Sequence, residues 1–132
     1  MLPTSGCIDA ITAGGWKMNS DSYPTDLWLK RVFGNFFDPC PLNDNPEVDG
    51  LALDWGFRTF CNPPYSDPLP WVRKGIEEAN AGKCVVFLLK HDSSTKWFRE
   101  LHEAGARFLP IHGRLKHGTG TGAPFPSVLV IL

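Results

Sequence analysis

The chain has 132 residues, with 13 lysines and arginines against 14 acids, a net charge of −1, and 42% hydrophobic and 20% charged content. This balance excludes a disordered chain, and it excludes a global field that would draw in a polyanion, so any nucleic-acid contact must come from a local basic patch. No apolar stretch approaches the ~20 residues that span a bilayer, and the start lacks the basic and apolar pattern of a secretory leader, so a cytoplasmic protein without membrane contact is expected. Cys7, Cys40, Cys61 and Cys84 are scattered without a C-x-x-C pair. They read as free, mostly buried thiols in a reducing compartment rather than as metal ligands.

In chain order, residues 1–22 show no clean period and read as an irregular N-terminal segment before a domain over 23–132. Thr25 resembles an N-cap for a helix over 26–33, stopped by Gly34-Asn35. Phe36-Phe37 begins a short strand ending at Asp38-Pro39-Cys40-Pro41. Residues 42–50 are polar and turn-rich, and Leu51 to Leu53 read as a short strand or a turn. A strand over 57–61 follows. Asp67 then caps a helix beginning near Pro68, with Trp71, Val72, Gly75, Ile76 and Ala79 on one face. Cys84 to Leu89 is continuously apolar, the pattern of a parallel strand buried on both faces. A helix over 95–104 ends at Gly105, a strand covers 106–111, Gly113 to Lys116 reads as a short strand, and 127–132 closes as a strand.

Strands alternating with helices through short turns predict an α/β fold with a mainly parallel sheet and helices on both faces. Ligands of such sheets bind outside the carboxyl ends of the strands. Asp38 and Asn62 both fall at such ends, which predicts a shared site.

The most informative segment is Asn62-Pro63-Pro64-Tyr65, directly after an apolar strand. Two prolines fix consecutive φ angles and push Asn62 toward extended backbone, and neither proline donates a hydrogen bond. Asn62 adds a side-chain carbonyl and Tyr65 an aromatic face with a hydroxyl. Such a rigid, acceptor-rich loop suits an amine or amide nitrogen on a planar group. The bland reading is a turn that ends a strand.

Asn62-Pro63-Pro64-Tyr65 matches the D/N-P-P-Y motif of S-adenosylmethionine-dependent amino methyltransferases. With its flanks the chain resembles the phage-type, Dam-like DNA N6-adenine methyltransferases. The matching elements are Tyr23-Pro24-Thr25, Phe33 to Cys40, Asp49-Gly50-Leu51, Asp54-Trp55, Phe60 to Ser66, Trp71, Val85 to Leu89, Trp97-Phe98, Gly113-Arg114-Leu115 and Phe125-Pro126-Ser127. The resemblance covers residues 23 to 132. It implies a compact Rossmann-like methyltransferase sheet and S-adenosylmethionine as cofactor. The implied partner is double-stranded DNA with a flipped adenine, in the host cytoplasm if the protein is phage-encoded. The Asn62 side-chain oxygen and the Pro63 carbonyl would accept hydrogen bonds from the target amine, and Tyr65 would stack on the extruded base.

Asp38, Pro39 and Cys40 are the implied cofactor loop, Tyr23, Pro24 and Thr25 would cover the cofactor's amino-acid end, and either Asp49 or Asp54 would hold the ribose hydroxyls. Each of these acids is equally readable as a solvated turn residue. Pro41-Leu42-Asn43-Asp44 replaces the usual Gly-rich turn, and the interval from Asp38 to Asn62 is short, so the cofactor half is shortened. Ser66, Lys90, His91, Arg114 and Lys116 are candidate substrate contacts, with Lys116-His117 leading into a Gly-rich loop that reads as a lid, a DNA-contacting arm or a plain connection. Trp55, Trp71 and Trp97 read as packing residues. With no room for a separate recognition domain, sequence selectivity would be low, or would come from a homodimer or a partner. Two other functions are compatible: N-methylation of RNA or of a protein glutamine, and a degenerate relative that binds a ligand without catalysis.

Overall fold

A computed structural model describes residues 26–41, 49–115 and 125–132. Among them the elements are α1 (Leu27–Phe33), β1 (Arg58–Cys61), α2 (Leu69–Asn80), β2 (Cys84–Lys90), α3 (Lys96–Glu103), β3 (Arg107–Pro110) and β4 (Ser127–Ile131). The N-terminal segment, Tyr23, Pro24, Thr25, Lys116 and His117 lie outside the described residues.

The sheet order is β1-β2-β4-β3. β1 pairs with β2 in parallel, whereas β4 pairs antiparallel with both β2 and β3. The expected mainly parallel sheet is therefore a mixed one. Ser127 to Ile131 is a short apolar run buried over four of its five residues. Burial on both faces makes such a run apolar whichever way it points, so composition alone carries no strand direction.

β2 organises the interior because its side chains alternate between two cores. Val85, Phe87 and Leu89 meet Val72 of α2 and Trp97 and Leu101 of α3, while Val86 and Leu88 meet Leu29 of α1, Phe60 and Leu129. Helices accordingly cover both faces. Each fully buried side chain of this kind is worth about 1.5–3 kcal/mol, so the central strand rather than helix propensity holds the fold. α2 lies so close to β2 that a Cβ on Gly75 would collide with the Phe87 ring.

Local signals explain most boundaries. The Thr95 hydroxyl accepts from the Phe98 N–H at 3.3 Å and caps α3. Asp67 does not cap α2: the N-cap is Pro68, with no side-chain cap bond. A proline in that slot supplies fixed φ in place of a side-chain acceptor. The strand expected at Gly113 to Lys116 is also absent over its described residues 113–115, where Gly113 adopts φ +73°, outside strand geometry. Leu51 to Leu53 form a turn, and Phe37 forms a single parallel bridge to Thr59 instead of a strand.

Candidate active site

Phe37 is the local foundation of the site. Its N–H donates to the Arg58 carbonyl at 2.8 Å, and its own carbonyl accepts from the Phe60 N–H at 2.9 Å. This bridge lies beside β1 on the side away from β2 and runs in the same direction as β1. Asp38 and Asn62 consequently leave the sheet at one edge, as the sequence predicted. Because β2 is parallel to β1, Lys90 and His91 emerge at that edge too.

Asp38 is deeply seated. Its Oδ1 accepts from the Cys40 N–H at 3.0 Å, closing a tight turn around the buried Pro39. Burial pushes the Asp38 carboxyl up to about 6, and the Cys40 bond only partly opposes this. Burial also pushes the Cys61 thiol up, helped by its neighbours Cys40 and Asp38. Cys40, Cys61 and Cys84 form no disulfide, and no cluster of metal-ligating side chains occurs, among the described residues.

A stability effect follows from Asp38, with a definite sign. Between 3.8, its ordinary value, and about 6, the folded chain holds a proton that the unfolded chain has released. This group's contribution is most favourable at acid pH, declines as pH rises through that window, and is flat above it. A difference of about two units corresponds to about 3 kcal/mol. Asp38→Asn keeps an acceptor for Cys40 and should gain about 1–3 kcal/mol at pH 8 while flattening the profile between pH 4 and 6. Urea melts across that range check it, and an unchanged slope would assign the titration to another group.

The second acid is brought to the same place by a glycine. Gly50 is buried with its backbone against Pro39, where a Cβ would collide with the Pro39 carbonyl oxygen and approach Trp71 to 2.8 Å. Asp49 therefore sits next to the Asp38-Pro39-Cys40 turn, exposed, with its Oδ1 accepting from Leu51 N–H at 3.0 Å. Asp54 goes elsewhere: it is exposed, and its charge is felt by Lys74 of α2.

Asn62 and Pro64 are half-buried and Pro63 is buried, while Ser66 is exposed. Tyr65 packs edge-to-face on Phe125, ring centroids 4.6 Å apart and planes at 67°. Phe125 belongs to a crosspiece over the strand ends: the Pro126 carbonyl accepts from His91 N–H at 2.8 Å and the Ser127 carbonyl from Ile111 N–H at 3.0 Å. Phe125-Pro126-Ser127 is one of the elements that carry the family resemblance, with no site role legible in its sequence beyond an aromatic residue just before a buried strand.

Among the substrate candidates, His91 stacks on Phe98 with centroids 6.0 Å apart. Lys90 is exposed and faces Asp92 at 3.8 Å. Arg114 lines a groove with Asp26, Trp28 and His112 beyond the end of β3.

Residues 39–122 match the family model described as DNA N-6-adenine-methyltransferase (Dam), a span that contains Asp49, the Asn62 to Tyr65 loop, Lys90 and Arg114. The chain belongs to the DNA N-6-adenine-methyltransferase (Dam) family. It is 36% identical over 98 residues to the DNA N-6-adenine-methyltransferase of Haemophilus phage HP1, covering 62% of this chain and 57% of that protein. It is also 36% identical over 78 residues to the DNA N-6-adenine-methyltransferase of Escherichia phage T1, covering 58% of this chain and 33% of the relative. The chain thus spans between a third and somewhat over half of the Dam-family relatives it matches. No solved structure matches it. Among the described residues, no helix of this Dam-family chain is long and apolar enough to cross a membrane.

Proposed function

We propose that this chain is the methyltransferase core of a DNA N6-adenine methyltransferase, with S-adenosylmethionine as methyl donor and double-stranded DNA as substrate. The observation that carries the reading is the meeting of three elements at one sheet edge: the Asn62 to Tyr65 loop, the Asp38 turn, and the Gly50 contact that delivers Asp49 to it. Family membership supplies the reaction class.

The acids fit the cofactor chemically. A buried carboxyl raised by desolvation gains most from a nearby positive charge, and the cofactor carries a sulfonium and an ammonium. Asp38 and the Pro39-Cys40 backbone would hold the cationic portion, and Asp49 rather than Asp54 would accept from the ribose hydroxyls. S-adenosylmethionine supplies a methyl group activated by the sulfonium.

The chain's own residues supply geometry. An aromatic amine is a poor nucleophile because its lone pair is delocalised into the ring. The Asn62 side-chain oxygen and the Pro63 carbonyl accept its two N–H groups, draw the nitrogen toward sp³ character and fix its approach. The prolines make these acceptors rigid, so little reorganisation accompanies charge development. Tyr65, itself backed by Phe125, stacks on the flipped adenine. His91 and Lys90 border the same edge and contact the DNA. No covalent enzyme intermediate is needed.

The test is transfer of labelled methyl from S-adenosylmethionine to DNA, RNA and protein substrates, followed by digestion of the DNA to nucleosides. N6-methyladenine in the DNA digest is the expected product. Label confined to RNA or to protein glutamine would move the substrate assignment, and calorimetry without any S-adenosylhomocysteine binding would indicate a non-catalytic relative.

A further inference from the structure

The segment between the Asp49 turn and β1 has no regular secondary structure, yet it is held at both ends by directed contacts. At the site end, the buried Gly50 lies against Pro39. The Trp55 indole N–H donates to the Gly50 carbonyl at 2.8 Å, while the indole ring packs on Phe87 of the central strand with centroids 6.1 Å apart. At the opposite end, the Lys83 ammonium donates to the Trp55 carbonyl at 2.8 Å and to the Glu78 carboxylate. Glu78 is only 6% exposed, and its other oxygen takes Lys74 at 3.0 Å. Burial pushes the Glu78 carboxyl up, but the two lysines outweigh it and hold it below the usual carboxylate range.

A buried acid on α2 that satisfies two lysines is costly to place and easy to upset by losing one partner. An apolar helix face could pack the same surface without it. What the charged arrangement adds is a directed hold on one carbonyl in an irregular segment, transmitted through a rigid indole to Gly50.

We propose that Lys83 and Trp55, backed by Glu78, are positioning residues for the cofactor site, setting Asp49 against the Asp38-Pro39-Cys40 turn from outside the site itself. This rests on the assignment of Asp38 and Asp49 to the cofactor. Lys83 reaches the site only through Trp55 and Gly50, so its loss acts on cofactor geometry and leaves the Asn62 acceptors in place.

The experiment uses Lys83→Met and Trp55→Phe, with Arg73→Ala as a control on the same helix. Arg73 pairs with Glu100 of α3. Each variant is titrated with S-adenosylhomocysteine by calorimetry and assayed for methyl transfer, and hydrogen exchange is followed at the Leu51 and Ala52 amides. The expected result for Lys83→Met and Trp55→Phe is about a fivefold to tenfold weaker S-adenosylhomocysteine Kd, the scale of one lost directed hydrogen bond. Cofactor KM should rise in parallel, DNA KM and kcat at saturating cofactor should stay within about twofold, and the two amides should exchange faster. Arg73→Ala should leave all of these unchanged. A lowered Tm with unchanged cofactor Kd would make the strut purely structural and overturn the proposal. A loss of DNA affinity equal to the loss of cofactor affinity would overturn it as well. Absence of binding in the unsubstituted protein would remove the cofactor assignment itself, a failure distinguishable because it precedes any substitution.

Discussion

Asn62→Ala should reduce methyl transfer about a hundredfold to a thousandfold, the scale of removing one preorganised hydrogen-bonding group from a polar transition state. S-adenosylhomocysteine binding and the melting temperature should remain close to those of the unsubstituted protein. Asn62 follows β1, is half-buried, and is outside both hydrophobic cores, so truncation leaves no core cavity. Asn62→Asp is the companion variant. It restores an acceptor oxygen at the same reach and should recover a large part of the rate, because the proposed role is to accept from the amine. A rate for Asn62→Ala within about tenfold of the unsubstituted protein would sink the assignment, since one lost acceptor is worth more than that in a preorganised site. Recovery in Asn62→Asp would separate acceptor chemistry from an effect of side-chain volume.

Gly50→Ala should have the largest effect of an added methyl at any glycine in van der Waals contact among the described residues. The new Cβ would meet the Pro39 carbonyl oxygen, a backbone atom that cannot rotate aside, and the Trp71 ring at 2.8 Å. Overpacking of this kind costs about 1–3 kcal/mol, and more where backbone must shift. Relief requires the 49–52 turn to lift from Pro39, which separates Asp49 from Asp38. Cofactor affinity should then fall by more than about tenfold with a clear drop in Tm. Gly105→Ala is the matching control. Gly105 has φ +82° and open space around its Cβ position, so substitution adds backbone strain of about 1 kcal/mol and nothing at the site. If Gly50→Ala binds S-adenosylhomocysteine as the unsubstituted protein does, the contact with Pro39 is not what delivers Asp49.

The legible and illegible parts of this chain divide along physical lines. Cys84 to Leu89 was readable as a buried strand because two-sided burial demands an unbroken apolar run, and a helix over 95–104 was readable without its cap, which the Thr95 hydroxyl supplies. The Asn62 to Tyr65 loop was readable because proline chemistry is local. The direction of Ser127 to Ile131 was not, since a run buried on both faces is apolar either way. Which of Asp49 and Asp54 lies beside the Asp38-Pro39-Cys40 turn was closed to sequence for another reason: it depends on Gly50 meeting Pro39, a tertiary contact with no local signature. Glu78 hid in the same way, as its partner Lys83 follows the helix and the other contact of that lysine is the Trp55 carbonyl. Asp67 misled because an acid ahead of a helix resembles a cap, while Pro68 already occupied that slot.

The insertion of β4 between β2 and β3 also bears on how the molecule is assembled. β3 finds its sheet neighbour only in β4, and β2 pairs through residues as distant in sequence as Val86 and Ile131. Until residues 127–131 pair, β2 has only β1 as a strand neighbour and β3 has none among the described residues, and the ends of β2 and β3 lack the Phe125 to Ser127 crosspiece. Closing so long a loop sets a slow, late and cooperative step. The same insertion that sets Phe125 against Tyr65 therefore ties the geometry of that loop to the pairing of β4.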